Sequence, residues 1–346
     1  MHRCLLAAIL ASLFALANAA FAQTDAARQA REVRIMVGSA SGGGYDAYAR
    51  LAAPFLGRHL PGNPAVIVQN VPGGGGLKLA NTMAQIAPRD GTAIAITNRN
   101  LIAAPLLKMV EAGAAQYDPD AFVWLGNLNN DVSFLVMRAE LGVTSVDDLR
   151  KREFIAGAAG PTDNNGLFPY FFNNLLGARF KVVSGYPSSP ELALALDRGE
   201  IDGVVGFSWA SLKVQRPDWL RDKKVLLLAQ FGLTPLPEQP DVPLVIDLAR
   251  NETDRRALEL MATLNTLGRP FFAPPGTAPA AAANLRRAFA DLAQDEDFLA
   301  AAARQQFDVT FNDGEAVQQS VRRINSAPPE VVDVVRRALE KSGATP

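Results

Sequence analysis

The chain has 346 residues, of which 49% are hydrophobic and 20% are charged, with 27 glycines and 23 prolines. This is the composition of a globular protein long enough for two domains, and it excludes a single small module, a disordered chain and a fibrous chain. Lys and Arg total 34 against 35 Asp and Glu, so the formal net charge of −1 provides no basic field for nucleic acid or an anionic membrane.

The N-terminal segment has the features of a secretory signal peptide. A basic start at Arg3 precedes an apolar run from Cys4 to Leu16, and Ala20-Phe21-Ala22 has the small-x-small pattern of a cleavage site. The run is shorter than the roughly 20 residues that a membrane span needs. We therefore expect residues 1–22 to be removed on export to the periplasm.

Cleavage would leave little nucleophilic or metal-binding chemistry. Cys4 is the only cysteine, so the exported chain would have no thiol nucleophile, disulfide or cysteine zinc site. His59 would be the only histidine, and its place late in a predicted helix favours packing over catalysis. Ligand binding should then depend little on pH near neutrality. A hydrolase using paired carboxylates is compatible with the composition, although no spacing supports it.

Strands and helices alternate in the first part of the chain. Apolar residues spaced from Tyr48 to Leu56 predict one face of a helix, with Asp46 as its N-cap and Pro54 as the cause of a kink. A second helix is predicted over Leu77–Ala87. The predicted strands are Val33–Val37, Ala65–Gln69, Ala93–Thr97 and Val123–Leu125.

The same alternation resumes after Asn130. Ser188 to Glu191 reads as a capping box that opens a helix closed by Gly199. Thr277 is the predicted cap of a later helix. The predicted strands are Ser133–Met137, Phe154–Ala156, Lys181–Val183, Gly203–Val205, Lys224–Leu228 and Arg269–Ala273. The other predicted helices are Asn165–Leu176, Asp254–Leu264 and segments near Glu296, Glu315 and Glu330.

This order of elements predicts an α/β fold with parallel-rich sheets covered by helices on both faces. We expect two domains around a central cleft. Domain 1 would be discontinuous, with residues 31–131 and 268–346, and domain 2 would comprise residues 132–267.

Three glycine-containing loops follow predicted strands: Gly38–Asp46, Val71–Gly76 and Ala156–Thr162. In open parallel sheets, ligands bind beyond the carboxyl ends of the strands, where free N–H groups at helix starts attract anions. The loops lack the Gly-x-Gly-x-x-Gly and P-loop patterns, which disfavours nucleotide binding. Each loop alone could be a tight turn, but three of them favour a binding site.

Other polar and aromatic side chains follow strands or precede helices near the same edge. Helix capping also accounts for one of the serines before the helix at Ser188. Packing in the core accounts for Phe207 as well as a place in a binding site does. Arg99 is either a charge partner for a ligand or a solvated side chain. The candidates from these segments are Thr97, Asn98, Tyr186, Ser188, Phe207 and Ser208.

Several motifs in order resemble the extracytoplasmic solute receptors of tripartite tricarboxylate transporters, the Bug proteins. The resemblance spans nearly the whole exported chain. The motifs are Gly42-Gly43-Gly44-Tyr45-Asp46, Val68 to Gly76, Pro88-Arg89-Asp90-Gly91-Thr92, Gly157 to Thr162, Gly199 to Gly203, Pro240-Asp241-Val242-Pro243 and Ala273 to Thr277.

The resemblance implies a two-domain periplasmic binding protein of type II, a Venus flytrap that closes on a small carboxylate. Backbone amides, hydroxyls and waters would hold the ligand. Tyr45 stands where the family usually has Thr, and Gly160-Pro161-Thr162 replaces its Gly-Ser. The residues that the resemblance places at the ligand are Ala40, Ser41, Gly42, Gly43, Gly44, Tyr45, Asp46, Ala158, Ala159, Gly160 and Thr162. Gly74 and Gly75 are further candidates because of their place in the second glycine loop.

The expected function is capture of a small carboxylated organic anion and its delivery to the membrane permease of a tripartite tricarboxylate-type transporter. The expected receptor is a monomer without cofactor, metal or catalysis. A receptor of the same fold that signals to a membrane kinase is the alternative, and a secreted hydrolase is a remote one.

The cleavage site gives a direct prediction. The exported protein should begin at or near Gln23, because Ala20-Phe21-Ala22 matches the specificity for small residues at such sites. N-terminal sequencing or the intact mass of secreted protein measures this, and a secreted chain that retains Cys4 would contradict it.

Overall fold

The fold, taken from a computed structural model, is described for residues 32–160 and 162–340. The predicted signal peptide lies outside these residues. Two β-sheets organise the described chain, with strand orders β11-β4-β10-β3-β1-β2 and β7-β6-β8-β5-β9. The first sheet contains β1 (Glu32–Val37), β2 (Ala65–Asn70), β3 (Ala93–Ile96), β4 (Val123–Asn127), β10 (Pro270–Ala273) and β11 (Asn312–Asp313). The second contains β5 (Ser133–Arg138), β6 (Phe154–Ala158), β7 (Phe180–Ser184), β8 (Gly203–Ser208) and β9 (Val225–Phe231).

Twelve α-helices cover the sheets in the described chain. They are α1 (Gly44–Leu56), α2 (Leu77–Gln85), α3 (Ala104–Leu107), α4 (Asn164–Leu176), α5 (Ser189–Asp197), α6 (Trp209–Gln215), α7 (Pro217–Arg221), α8 (Glu252–Thr266), α9 (Pro279–Leu292), α10 (Glu296–Arg304), α11 (Gly314–Asn325) and α12 (Pro329–Leu339). None of the helices in residues 32–160 and 162–340 is long and apolar enough to span a membrane.

The α/β class is confirmed, and both sheets combine parallel with antiparallel pairs. β1 is parallel to β2 and β3, and β6 is parallel to β7 and β8. β10 is antiparallel to β3 and β4, and β5 is antiparallel to β8 and β9. Alternating strands and helices predicted parallel pairing. The first strand after each passage of the chain from one sheet to the other, β5 and then β10, is antiparallel to both of its neighbours.

Side chains alternate across the strands and so build a core on each face of a sheet. In β10, Phe271 packs with α1, α9 and α10, whereas Phe272 packs on the opposite face with α2 and α11. The second sheet has α4 and α8 on one face and α5 to α7 on the other. The core that contains Phe272 continues to the second sheet, because α12 packs against both α4 and α8.

Three predicted helix signals differ from the observed geometry. The N-cap of α1 is Gly43, with Asp46 inside the first turn, and α1 continues through Pro54 to Leu56 before a 3₁₀ turn. Thr277 does not cap α9, because its hydroxyl donates to the Pro274 carbonyl. Asp46 and Thr277, the two predicted caps, use their side-chain oxygens in other contacts instead.

The capping box before α5 is also incomplete. Ser188 is the N-cap, but its hydroxyl donates to the Glu191 carboxylate at 2.6 Å and accepts no backbone N–H of the first turn. The two side chains therefore bond each other instead of the helix end.

The chain crosses between sheets twice, at residues 128–132 and at residues 267–269. The two crossings lie side by side, with the Leu128 N–H donating to the Arg269 carbonyl and the Arg269 N–H donating to Asn127 Oδ1. Any movement of one sheet relative to the other must bend at these neighbouring segments.

The aromatic cluster under the second sheet provides a stability test. Phe231 is fully buried, its ring stacks on Phe168 with centroids 3.9 Å apart, and it also meets Phe172 edge-on. Phe231→Ala should lower the free energy of unfolding by about 3 to 5 kcal/mol, because a cavity replaces these contacts. Denaturant unfolding followed by circular dichroism measures the change. Leu194→Ala, at a side chain that is 45% exposed, is the control and should cost less than about 1 kcal/mol.

Candidate functional site

A cavity of about 100 Å³ is lined by loops and helix starts next to the first sheet, by strand β8 and segments next to the second sheet, and by Arg269 of the crossing at 267–269. Eight residues predicted from the sequence line it, and they come from the first loop, the third loop and the segments around β3, α5 and β8. These residues are Gly43, Gly44, Tyr45, Asn98, Ala159, Ser188, Phe207 and Ser208. Phe207 contributes to the core as well, with its ring edge-on to Trp219.

Other predicted residues of the first loop shape it without lining the cavity. Asp46 is 2% exposed and accepts hydrogen bonds from the Gly42 N–H, the Ser41 hydroxyl, Asn70 and Arg50. Burial would raise the pKa of Asp46, but these bonds lower it below the usual value for Asp. Ala40, which lies in the same loop, is also outside the lining. Asp46 therefore holds the loop around the start of α1.

The second glycine loop contacts the third loop instead of the cavity. The Thr162 hydroxyl donates hydrogen bonds to the Gly74 carbonyl at 3.4 Å and to the Gly75 carbonyl at 3.3 Å. Gly75 has φ of +63°, and a Cβ there would lie 2.1 Å from Thr162 Oγ1. Glycine is required at position 75 because the two loops touch there.

The remaining predicted residues also lie outside the cavity lining. Thr97 is buried beneath Gly38 and Gly76, and the Ala158 carbonyl accepts the N–H of Gly185 and that of Tyr186. Gly160 lies against the Asp163 carboxylate and Gly75, and Tyr186 packs against the core around β8.

The cavity also has lining residues that the sequence candidates omitted. Asp163, Asn164 and Asn165 follow Thr162 directly, and reading the loop to the helix start would have included them. Ser211 and Arg269 have no such signal, and Arg269 precedes a strand, whereas the ligand-binding loops of open sheets follow strands. Arg99, for which the sequence left a charge partner and a solvated side chain open, is buried and lines the cavity. The omitted residues are Ser39, Asp163, Asn164, Asn165, Pro187, Ser189, Gly206, Ser211 and Arg269.

Two buried arginines of the lining share one buried carboxylate behind them. Arg99 and Arg269 are 4% and 2% exposed, and Asp131 is 2% exposed. Asp131 Oδ2 lies 3.0 Å from Arg99 Nη2 and 3.4 Å from Arg269 Nη1. One carboxylate against two guanidinium groups leaves this cluster with an excess positive charge. Loss of hydration makes an uncompensated buried charge costly, so the cluster favours an anion.

Two tyrosine rings flank the Arg269 guanidinium. Its Cζ lies 5.1 Å from the Tyr45 ring centroid and 4.9 Å from that of Tyr48, which are cation–π distances. Tyr45 also accepts the backbone N–H of Arg99 with its hydroxyl, at 3.2 Å. The rings hold the charge in place and consume none of its N–H donors.

The donors of Arg269 are only partly used. Nη1 donates to the Gly268 carbonyl and Nη2 to the Ser208 hydroxyl, but the buried Nε–H has no partner in the described chain. Ser39 Oγ, also of the lining, is likewise unpaired there. Gly44 permits this arrangement, since a Cβ at this position would lie 2.7 Å from Arg269 Nη2.

Three helices begin at the cavity. The first residues of α1, α4 and α5 are Gly44, Asn164 and Ser189, and all three line it. The N-terminal end of a helix presents free N–H groups and a partial positive charge. Together with the arginine pair, these ends make the local potential favourable to an anion in a chain that is nearly neutral.

A polar network joins the two sheets around the cavity. Asn98 and Asn100 both donate to the Thr162 carbonyl, and Asn100 also donates to Asn164. Asn164 donates in turn to Asn265, whose carbonyl accepts from Arg99. The network connects the segment after β3 with α4 and α8, so it holds the sheets in this relative position.

Asp163 is the carboxylate that lines the cavity itself. Burial raises its pKa to about 6, although the Gly160 backbone and the Arg99 charge act in the opposite direction. Its Oδ1 accepts from the Asn98 amide at 2.8 Å. By contrast, His59 lies 2.7 Å from Asp295 and outside the lining. The titrating group near neutral pH at this cavity is therefore an aspartate.

Comparison with known proteins finds similarity in structure alone. No family model matches the sequence, and no curated protein matches it. The periplasmic binding protein BugD is 19% identical with a TM-score of 0.70, covering 90% of this chain and 99% of BugD. A TctC solute-binding protein from Polaromonas is 20% identical with a TM-score of 0.60, covering 86% of this chain and 96% of that protein.

A third similar structure is MatC from Rhodopseudomonas palustris with bound malate. It is 19% identical with a TM-score of 0.65, and the match covers 90% of this chain and 99% of MatC. These relatives are binding proteins rather than enzymes. The chain has the fold of these tricarboxylate-type periplasmic binding proteins, which confirms the fold that the sequence motifs implied.

The shared carboxylate predicts a large loss of stability on neutralisation. Asp131→Asn should lower the free energy of unfolding by about 3 to 5 kcal/mol, because two buried guanidinium groups lose their common counter-charge. Chemical denaturation measures this. Asp147→Asn is the control, since Asp147 is 77% exposed and pairs only with Arg150 at the surface, where a pair contributes about 0 to 1 kcal/mol. Equal stabilities of the two variants would contradict the assigned role of Asp131.

Proposed function

We propose that the chain is an extracytoplasmic solute receptor of the Bug type, which captures a small carboxylated organic anion in the cavity. The observation that carries this proposal is the Arg269 guanidinium, which lines the cavity, shares its counter-ion with Arg99 and has an unpaired Nε–H. A carboxylate matches the planar donor edge of a guanidinium, so it would supply both the missing charge and the missing acceptor.

A bound ligand would favour closure of the two domains on each other, because the cavity is lined by segments next to both sheets. We assign residues 31–131 and 268–346 to one moving domain and residues 132–267 to the other, with the crossings as the hinge. In the described conformation, Asn98 and Asn100 reach the Thr162 carbonyl, and Thr162 reaches Gly74 and Gly75. A solute that bridges the same two surfaces would stabilise this conformation over an open one.

The similar structures support the wider role. MatC with its bound malate belongs to the same fold, and a receptor of this kind would pass its solute to the membrane permease of a tripartite tricarboxylate-type transporter. The exported chain would act in the periplasm as a monomer, without catalysis or cofactor.

Loss of the planar guanidinium should weaken binding more than it weakens the fold. Arg269→Lys keeps the charge but removes the paired donors, and a hydrogen bond to a charged group contributes about 1.5 to 3 kcal/mol. The tightest ligand of a thermal-shift panel of mono-, di- and tricarboxylates and amino acids should then bind roughly 10- to 150-fold more weakly. Isothermal titration calorimetry measures the affinity.

The matched control is Arg34→Lys, since Arg34 is exposed and pairs only with nearby Glu32. Unfolding of each ligand-free variant separates lost stability from lost binding. A panel in which no carboxylate raises the melting temperature of the parent would refute the proposed function, as would unchanged affinity in a folded Arg269→Lys variant.

A further inference from the structure

The cavity contains a second charge without a charged partner, the carboxylate of Asp163. Its hydrogen-bond partners are the Asn98 amide and the Gly160 backbone, and both are neutral. Among the described residues, no basic side chain lies within ion-pair distance of Asp163. The two arginines of the cavity, Arg99 and Arg269, pair with Asp131 instead. Asp163 is partly buried, and a carboxylate removed from water without a cation is costly unless a ligand supplies one.

The arginine cluster has one positive charge in excess, and Asp163 adds one negative charge that pairs with neither arginine. Arg99, Arg269, Asp131 and Asp163 sum to zero when all four are ionised, yet Arg269 lacks an acceptor for Nε and Asp163 lacks a cation. A simple dicarboxylate would satisfy the guanidinium and add a second negative charge to a cavity that already contains Asp163. A zwitterion would satisfy both groups and leave the site neutral.

We propose that the preferred solute is zwitterionic, an amino acid whose carboxylate pairs with Arg269 and whose ammonium group pairs with Asp163. This inference rests on the proposed function and specifies the class of its ligand. The volume of about 100 Å³ suits a small amino acid. Benzene, with six non-hydrogen atoms, binds in an apolar cavity of about 150 Å³, so a volume of about 100 Å³ favours the smallest amino acids.

The pH dependence of binding distinguishes a zwitterion from a plain anion. The charged groups around Asp163 are Arg99, Arg269 and Asp131, and its own pKa of about 6 lies well below the ionisation range of an ammonium group. An ammonium group needs ionised Asp163, so affinity for an amino acid is constant above neutrality and falls on acidification. A solute without a cation escapes repulsion when Asp163 is protonated, so its affinity rises on acidification.

The experiment compares solutes that differ in one group. L-Alanine and L-lactate have the same number of non-hydrogen atoms and exchange ammonium for hydroxyl, and L-aspartate and L-malate form a longer pair. Isothermal titration calorimetry of the purified protein should show tighter binding of the amino acid in at least one pair. From pH 8 to pH 5.5 its affinity should fall about fourfold, because about a quarter of Asp163 stays ionised at pH 5.5.

Asp163→Asn tests the assigned partner. The amide retains the size of the side chain and removes its charge, so the amino acid should bind at least about 30-fold more weakly, and the acid-dependent fall should disappear. The hydroxy acid should bind as tightly as before or more tightly. Asp147→Asn, at a side chain that is 77% exposed, is the matched control and should change neither affinity.

The outcomes separate this inference from the function on which it rests. Tighter binding of the hydroxy acids, with an affinity that rises on acidification, would overturn the zwitterion and leave carboxylate capture intact. Unchanged amino-acid affinity in a folded Asp163→Asn variant would also overturn it. Failure of every tested acid and amino acid to bind would refute the carboxylate receptor itself.

Discussion

The arrangement depends on one buried carboxylate, that of Asp131, which two buried guanidinium groups share. Asp131 lies in the first crossing between the sheets, Arg269 lies in the second, and Arg99 follows β3. The ion pairs therefore join the first sheet to both crossings between the sheets. Because two guanidinium groups share one carboxylate, the same contacts that connect the crossings leave Arg269 Nε without an acceptor at the cavity.

Close backbone approach explains where the glycines are needed. Gly44 lets the start of α1 meet the Arg269 guanidinium, and Gly75 lets one loop meet Thr162 of the other sheet. In both places a Cβ would occupy the position of a polar atom. The glycine-rich loops thus allow close contacts between elements of the protein. Of the glycines in these loops, only Gly43 and Gly44 line the cavity that a ligand would enter.

Polar contacts dominate where the two sheets meet at the cavity, while apolar packing continues around α12. The Asn98, Asn100 and Thr162 contacts are few and directional, so each can be exchanged for contacts with water or a solute. Apolar contacts near α12 have no such substitute. This division is compatible with a hinge that stays packed on one side and opens on the other.

The sequence by itself determined the α/β class, the positions of most elements and the loops near the site. Hydrophobic periodicity and turn residues are local signals, and helix starts at glycine loops depend only on neighbouring residues. The sequence located Gly43, Tyr45 and Asn98 at the cavity because each of them lies close to the end of a strand. Tertiary structure alone decided that both sheets are mixed, since strand direction depends on how the chain returns after the crossings.

Tertiary structure also decided the charge of the site. Asp131, Arg269 and Asn265 are distant in sequence from the loops, and no local pattern distinguishes them from ordinary surface residues. Their burial brings them together and removes the water that would otherwise screen them. The chemistry of the cavity thus arises from long-range contacts between side chains, whereas its scaffold was readable from short-range patterns.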